Sequence, residues 1–161
     1  MNIGIDIGST ASKVVVYDKE KDEIVYKILM PSGWNSKETS GEIYKNLVEN
    51  GYDVDNSFVV ATGYGRVSVP YADRVVTEIT THSKGAMYLL KSDCDVIDIG
   101  GQDTKIINIS NGLVSDLIMN DKCSAGTGRF LEVMANAMGY DPASLCELAK
   151  QGKDVKISSM C

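Results

Sequence analysis

Two short stretches of this sequence carry the same spacing of aspartate, glycine and lysine. Residues 5–13 read Ile-Asp-Ile-Gly-Ser-Thr-Ala-Ser-Lys, and residues 97–105 read Ile-Asp-Ile-Gly-Gly-Gln-Asp-Thr-Lys. Both fit Ile-Asp-Ile-Gly-x-x-x-x-Lys and continue into an apolar segment. Each predicts a strand, a tight turn and a returning strand, with the isoleucines on the buried face and the aspartate on the opposite face.

The two predicted turns offer the groups that bind nucleotide phosphates. Gly8 and Gly100 allow positive φ and close backbone approach. The turn N–H groups and nearby hydroxyls would cradle a phosphate, while the carboxylates of Asp6 and Asp98 face a metal ion. The hydroxyl donors are Ser9, Thr10 and Thr104. One Asp-x-Gly fits any hairpin, but its repetition favours two hairpins that grip a nucleotide from both sides.

Composition limits the remaining classes of function. A chain of 161 residues with 43% hydrophobic residues predicts one folded domain or two small lobes. A net charge of −6 without a basic run argues against nucleic acid or an anionic membrane as a partner. We predict neither a transmembrane helix nor a signal peptide, so we expect a cytoplasmic protein with reduced cysteines.

Hydrophobic periodicity predicts an α/β protein with a duplicated pattern. The predicted strands are residues 3–7, 11–17, 24–29, 58–61, 96–99, 105–109 and 113–119. Helices are predicted from Ser36, as N-cap, to Gly51, over residues 80–90 with Met87 and Leu90 inward, from Phe130 to Gly139, and from Asp141 to Gly152. Asn111-Gly112 predicts a tight hairpin turn between the last two strands. We therefore predict a first lobe over residues 1–92 and the start of a second over residues 93–161.

Two other features have modest predicted roles. The Thr-Gly-Tyr-Gly-Arg turn at residues 62–66 is interpreted as a loop, although its place after a strand leaves a ligand or partner contact open. His82 has no neighbouring ligand residues on its predicted helix, so we interpret it as a structural or surface histidine.

Cys123 lies in a small-residue turn just before a predicted helix. Unpaired N–H groups and the positive end of the helix dipole would lower the pKa of its thiol and favour a bound negative group. A phosphate, a reactive thiolate, a thiolate-ligated metal and an incidental buried cysteine all fit this position. Cys94 and Cys146 are expected to be core cysteines.

The paired Asp-x-Gly hairpins resemble the phosphate loops of the superfamily that holds acetate and sugar kinases, heat-shock chaperone ATPases and actin. The resemblance becomes more specific with residues 62–66, Asn-Asp-Lys-Cys at 120–123, Gly-Thr-Gly-Arg-Phe at 126–130 and Ile-Ser-Ser-Met-Cys at 157–161. Together these motifs resemble the ATP-dependent activators of 2-hydroxyacyl-CoA dehydratases, whose related subunits occur in benzoyl-CoA reductases.

This resemblance implies an actin-like (ribonuclease H-like) ATPase fold of class α/β with duplicated lobes, the second incomplete in this chain. It implies a homodimer that shares one [4Fe-4S] cluster, with Cys123 and Cys161 as ligands from each subunit. ATP hydrolysis would drive a single low-potential electron from ferredoxin or flavodoxin to a 2-hydroxyacyl-CoA dehydratase or related reductase.

The resemblance also implies roles for the hairpin residues toward Mg²⁺ and ATP or ADP. Asp6 and Asp98 would place Mg²⁺ and the attacking water, and Gln102 or Asp103 would orient water or the metal. The residues expected to contact the nucleotide phosphates are Gly8, Ser9, Thr10, Lys13, Gly100, Gly101 and Gln102.

Family members continue past the second cysteine into a glycine-rich segment that holds adenosine, whereas this sequence stops at Cys161. We therefore expect a fragment, a truncated product or a chain that another polypeptide completes, with weakened ATP binding in isolation. Two alternatives remain, a sugar or acyl kinase without iron and a non-enzymatic actin-like nucleotide-binding module that is independent of Cys123.

Overall fold

The computed structural model describes residues 1–156, so the predicted cluster ligand Cys161 lies outside the described residues. The chain divides into two compact units, one made of residues 1–94 and 109–114 and the other of residues 95–108 and those from Ser115 onward. The proposed division between residues 92 and 93 stays a prediction.

Strands precede helices in both halves of the described chain. In chain order the elements are β1 (Asn2–Ile7), β2 (Ala11–Asp18), β3 (Glu23–Pro31), α1 (Ser36–Glu49), β4 (Phe58–Thr62), β5 (Arg74–Val75), α2 (Glu78–Leu90), β6 (Asp95–Ile99), β7 (Thr104–Ser110), β8 (Leu113–Asn120), α3 (Gly128–Ala137) and α4 (Pro142–Ala149). None of these helices is long and apolar enough to cross a membrane. The predicted α/β class is confirmed.

The first unit is built on a five-stranded sheet with the order β3-β2-β1-β4-β5. Strands β1, β2 and β3 are antiparallel neighbours, while β4 runs parallel to β1 and β5 parallel to β4. Alternate residues of β1, β2 and β4 are buried with the apolar face of α1. The largest of these side chains are Ile3, Ile5, Ile7, Val14, Val16, Ile43, Leu47 and Val59. This alternation is the period of two that the sequence predicts.

Helix ends and faces differ from the prediction at two places. Asn35, not Ser36, is the N-cap of α1, because its side-chain oxygen accepts a hydrogen bond from the N–H of Lys37. Helix α2 begins at Glu78 and buries Ser83, whereas Leu90, predicted to point inward, is exposed.

Helix α2 is held to the rest of the first unit by polar contacts. The hydroxyl of Tyr88 donates to Asp22 in the β2–β3 turn at 3.1 Å, and Tyr17 donates to the same carboxylate. Both hydrogen bonds lower the pKa of Asp22, and the one from Tyr17 has the larger effect. Thr81 shares a 3.2 Å hydroxyl contact with Thr62 at the end of β4. Polar contacts therefore tie α2 to two strand ends.

A three-stranded sheet with the order β6-β7-β8 lies mainly in the second unit. Positive φ at Asn111 (51°) and Gly112 (73°) joins β7 to β8, as the Asn-Gly signal predicts. Thr127 caps α3 and Asp141 caps α4, whose first residue is Pro142. Hydrogen bonds from Ser144 lower the pKa of Asp141.

The prediction that both isoleucine faces are buried is wrong for the second hairpin. Ile97 and Ile99 are 68% and 56% exposed, although Ile5 and Ile7 of the first hairpin are at most 1% exposed. In the second unit the sheet instead buries the opposite side, which carries Lys105 and Ile107. Periodicity defines the two faces of a strand, but tertiary partners decide which face is covered.

Candidate functional site

Both repeated stretches form antiparallel hairpins with the same register. Asp6 pairs with Lys13 across β1 and β2, and Asp98 pairs with Lys105 across β6 and β7. The lysine Nζ lies 3.2 Å from Asp6 Oδ2 in the first hairpin and 3.6 Å from Asp98 Oδ2 in the second. Five matched sequence positions therefore place one carboxylate beside one ammonium group at each strand end.

The turn glycines are required by close approach rather than by positive φ. Neither Gly8 nor Gly100 has positive φ. A Cβ at Gly8 would lie 2.8 Å from the carbonyl oxygen of Ala11, and one at Gly100 would lie 2.7 Å from Asp103 Oδ1. The first turn thus folds back tightly on its own backbone and the second on the Asp103 side chain, which leaves no room for a side chain at either glycine.

The residues of the first turn remain accessible. Thr10 and Lys13 are exposed and Ser9 is half-buried. The carbonyl of Thr10 accepts a 3.0 Å hydrogen bond from the N–H of Ser32, which fixes the turn while leaving its hydroxyls at the surface.

A cavity of about 260 Å³ opens beside this turn, on the face of the sheet opposite the α1 core. Its polar lining comes from Asp6 and Lys13 of the hairpin and from three residues that the sequence did not connect with the hairpin. These are Thr62, Thr81 and His82. The missed residues lie far from Asp6 in sequence, so only the parallel pairing of β1 with β4 and the position of α2 bring them together.

The second hairpin differs in how it holds its lysine. Lys105 is buried, with Nζ 2.6 Å from Asp103 Oδ1, and these two side chains are only 4% and 8% exposed. Asp103 therefore faces Lys105 rather than solvent, whereas Gln102 is exposed and Asp98 is half-buried. The structure brings Asp98, Asp103 and Lys105 together in one ion-pair cluster.

The different burial of the two lysines predicts different losses of stability when each is replaced by alanine. Lys105→Ala leaves the buried Asp103 carboxylate without this partner and is expected to lower the free energy of unfolding by about 3–5 kcal/mol. Lys13→Ala, at the same position of the first motif but 54% exposed, is the matched control, and we expect a change of about 0–1 kcal/mol there. Urea denaturation of both variants checks this, and equal losses would contradict it.

Cys123 is exposed in the loop that connects β8 to α3. The Asn120 side chain organises this loop, because its Nδ2 donates to the carbonyls of Cys123 (2.9 Å) and Ala125 (3.1 Å), while its Oδ1 accepts from the N–H of Cys123 (3.3 Å). Cys94 is half-buried, whereas Cys146 is exposed, so the prediction of a core cysteine is wrong for Cys146.

The expectation of unpaired N–H groups at the start of α3 is also wrong. The N–H groups of Gly128 and Arg129 donate to the carbonyls of Gly100 and Gly101, at 2.8 and 3.1 Å. The next N–H, that of Phe130, donates to the capping hydroxyl of Thr127. The second hairpin turn therefore supplies the acceptors that a helix start needs.

A third contact joins the same hairpin to the cysteine loop. Thr104 Oγ1 donates a 2.6 Å hydrogen bond to the carbonyl of Gly126, so this hydroxyl is engaged within the protein. The second glycine turn, the cysteine loop and the start of α3 consequently form one hydrogen-bonded assembly. Sequence could not show this, because residues 100–104 and 126–129 meet only in the folded unit.

Comparison with solved structures first establishes the fold of this chain. Two solved structures under 25% identical share only the fold: ethanolamine utilization protein EutJ from Carboxydothermus hydrogenoformans (18% identity, TM-score 0.63) and MreB 5 of Spiroplasma citri bound to AMPPNP (13%, TM-score 0.52). They cover 92% and 98% of this chain and 61% and 64% of their own chains. The actin-like α/β fold that the resemblance implies is confirmed.

The chain belongs to the BadF/BadG/BcrA/BcrD ATPase family, whose model matches residues 3–161. It is 45% identical to the (R)-2-hydroxyglutaryl-CoA dehydratase activating ATPase of Acidaminococcus fermentans over 99% of this chain and 62% of that protein. The activator of lactoyl-CoA dehydratase of Anaerotignum propionicum is 40% identical, with the same two shares.

A solved structure of a relative contains a nucleotide analogue. The activator of the 2-hydroxyisocaproyl-CoA dehydratase from Clostridium difficile, with bound ADPNP, is 38% identical and superimposes with a TM-score of 0.86. The match covers 99% of this chain and 60% of that one. This chain thus spans about three fifths of the length of the relatives it matches.

Proposed function

We propose that this chain contributes to an ATP-hydrolysing activator that delivers one low-potential electron to a 2-hydroxyacyl-CoA dehydratase or a related CoA-ester reductase. Support comes from the family and from the names of its relatives, three of which are dehydratase activators. In this proposal the protein works as a cytoplasmic homodimer, with ferredoxin or flavodoxin as the electron donor.

One observation carries the proposal, namely the hydrogen bonds between the second hairpin turn and the start of α3. A phosphate at the Gly100–Gly101 turn would shift carbonyls that accept from Gly128 and Arg129. The Thr104 hydroxyl would transmit the same shift to Gly126, three residues after Cys123. A ligand moves a two-state element only through contacts that differ between the states, and these bonds provide such contacts.

The accessibility of the hairpin residues supports their proposed nucleotide-binding roles. Asp6 and Asp98 are carboxylate donors of the kind that Mg²⁺ prefers, and each is about one quarter exposed, at 25% and 23%. Both residues therefore fit a magnesium ion held between protein and phosphate. Gln102 is exposed and would orient water, whereas the buried Asp103 would act on Lys105 and so position Asp98. The phosphate contacts would come from Gly8, Ser9, Thr10, Lys13, Gly100 and Gly101.

The chemistry of Cys123 fits an iron-sulfur cluster, because its exposed thiol sits in a loop that Asn120 fixes through three hydrogen bonds. Within residues 1–156 no three side chains suited to metal binding come together. We assign the other ligands to Cys161 and to the same two cysteines of a second subunit. A bound [4Fe-4S] cluster would supply one-electron chemistry at low potential.

Anaerobic purification tests the proposal directly. We expect a coloured dimer with about four irons per two chains, ATP hydrolysis that depends on Mg²⁺, and ATP-dependent reduction of an added dehydratase. Colourless protein that releases ADP only with a sugar or acyl substrate would support a kinase, and nucleotide binding without turnover would support a non-enzymatic module. Because the chain spans 62% of its A. fermentans relative, the assay should include a chimera that adds the unmatched part of that relative.

Replacing Thr104 separates hydrolysis from electron delivery. Thr104→Val keeps the shape of the side chain but removes the hydrogen bond to Gly126, so we expect ATP hydrolysis to continue while electron delivery per ATP falls by about tenfold. Ser110→Ala, an exposed hydroxyl at the end of the same strand, is the control and should change neither quantity. Unchanged delivery in Thr104→Val would remove this contact from the coupling.

A further inference from the structure

The turn at residues 62–66, interpreted from sequence as a loop, lies directly against the first hairpin. Asp6 and Thr62 are partners in the parallel pairing of β1 with β4. The N–H of Gly65 donates a 2.8 Å hydrogen bond to the carbonyl of Ile7, the residue after Asp6. The turn therefore continues the sheet contact past the end of both strands.

Two glycines of this turn are required by what they touch. Gly63 has φ of +84°, and a Cβ there would overlap Asp6 Oδ1 and come within 2.5 Å of the Ile7 carbonyl oxygen. A Cβ at Gly65 would overlap the Ile7 side chain and lie 2.8 Å from Ser36 Oγ. The turn backbone thus lies directly against the Asp6 carboxylate.

Hydrogen bonds hold this turn in place at both of its ends. Arg66 donates to the Gly63 carbonyl from its guanidinium group, at 2.9 Å, and from its backbone N–H, at 3.3 Å. Thr62 at the other end of the turn shares its hydroxyl contact with Thr81 of α2. Arg66 therefore links the carbonyl of Gly63 to the short 3₁₀ turn Arg66–Ser68.

We propose that residues 62–66 are a positioning element, in which Gly63 sets the orientation of the Asp6 carboxylate toward the divalent metal of a bound nucleotide and Arg66 holds Gly63 in place. This inference rests on the proposed nucleotide site at the first hairpin. It assigns to the turn an effect on metal binding through Asp6, without contact between the turn and the nucleotide.

Gly63→Ala is the decisive variant, and the chain supplies a matched control in Gly51→Ala. Gly51 has nearly the same φ, +85°, but a Cβ there meets nothing within 4 Å. Both variants impose similar backbone strain, yet only Gly63→Ala displaces the Asp6 carboxylate. The measurement is Mn²⁺ binding in the presence of ADP, followed through the electron paramagnetic resonance of the free ion, since Mn²⁺ accepts the same oxygen ligands as Mg²⁺.

We expect Gly63→Ala to weaken Mn²⁺ binding by about 10- to 100-fold, the loss typical when the groups that orient a metal ligand are disturbed, while Gly51→Ala binds as the unsubstituted protein does. If Gly63→Ala does not fold, Arg66→Ala provides the test. We expect Arg66→Ala to weaken Mn²⁺ binding by about tenfold, because it removes one hydrogen bond of a charged group. Arg66→Lys should recover part of this binding. Unsubstituted protein that binds no Mn²⁺·ADP would overturn the nucleotide site itself. Binding by the unsubstituted protein and equal binding by both Gly63→Ala and Arg66→Ala would overturn only the positioning role.

Discussion

Asp6→Ala and Asp98→Ala are each expected to lower the rate of ATP hydrolysis by at least about 100-fold while the protein stays folded. Each carboxylate lies one residue before the end of its strand, beside a glycine turn, and is a proposed ligand of the magnesium ion. Without it, the magnesium ion and the attacking water lose a fixed ligand on that side, and positioning is most of what a protein contributes to phosphoryl transfer.

Hydrolysis should be followed as released phosphate, with circular dichroism to establish folding. Asp95→Ala is the control for Asp98, because Asp95 lies on the same strand but is exposed and bonded to Asn108 at 2.7 Å. Both assays should be run on this chain and on the chimera with the A. fermentans relative. We expect weaker nucleotide binding by the chain alone, and unchanged hydrolysis in both aspartate variants would exclude the hairpins as the site.

Cys123→Ser is expected to remove the iron-sulfur cluster and, with it, the stability of the dimer. A cubane cluster takes about four thiolates, and one chain offers two in the proposed arrangement, so the loss of Cys123 removes two of four ligands from a symmetric dimer. Cys161→Ser should behave in the same way. A cluster exposed at a subunit interface should also be lost in air.

Anaerobic iron analysis with size-exclusion chromatography measures both effects. Cys94→Ser and Cys146→Ser are the controls and should keep iron and dimer alike. The Cys146 control is informative because this residue, like Cys123, is exposed but lies within α4 rather than in the loop that Asn120 organises. A monomer that holds a complete cluster, or a cluster that survives Cys123→Ser, would refute the shared site.

Sequence predicted what depends on local spacing. The Asp–Lys pairs of the two hairpins follow from four-residue turns between matched positions, and the structure reproduces both registers. The Asn-Gly turn and the proline at the start of α4 were likewise predictable, because each fixes its own backbone.

Contacts between distant segments could not be predicted in this way. From sequence, Gly63 is only a turn residue. Its contact with Asp6 depends on the parallel pairing of β1 with β4. From sequence, Asp103 is a candidate to orient water or the metal, but in the structure it is buried against Lys105. The exposure of Ile97 has the same origin, since a strand's sequence does not say which of its faces will be covered.

The link between the second hairpin and α3 consists mainly of main-chain atoms, with N–H groups of Gly128 and Arg129 on one side and carbonyls of Gly100 and Gly101 on the other. Replacing Arg129 by alanine would therefore leave its hydrogen bond in place. Arg129→Pro would remove one donor and leave the helix intact, because the first turn of a helix tolerates proline. Over evolutionary time the side chain at position 129 can consequently be exchanged without severing this connection, as long as the residue keeps its N–H.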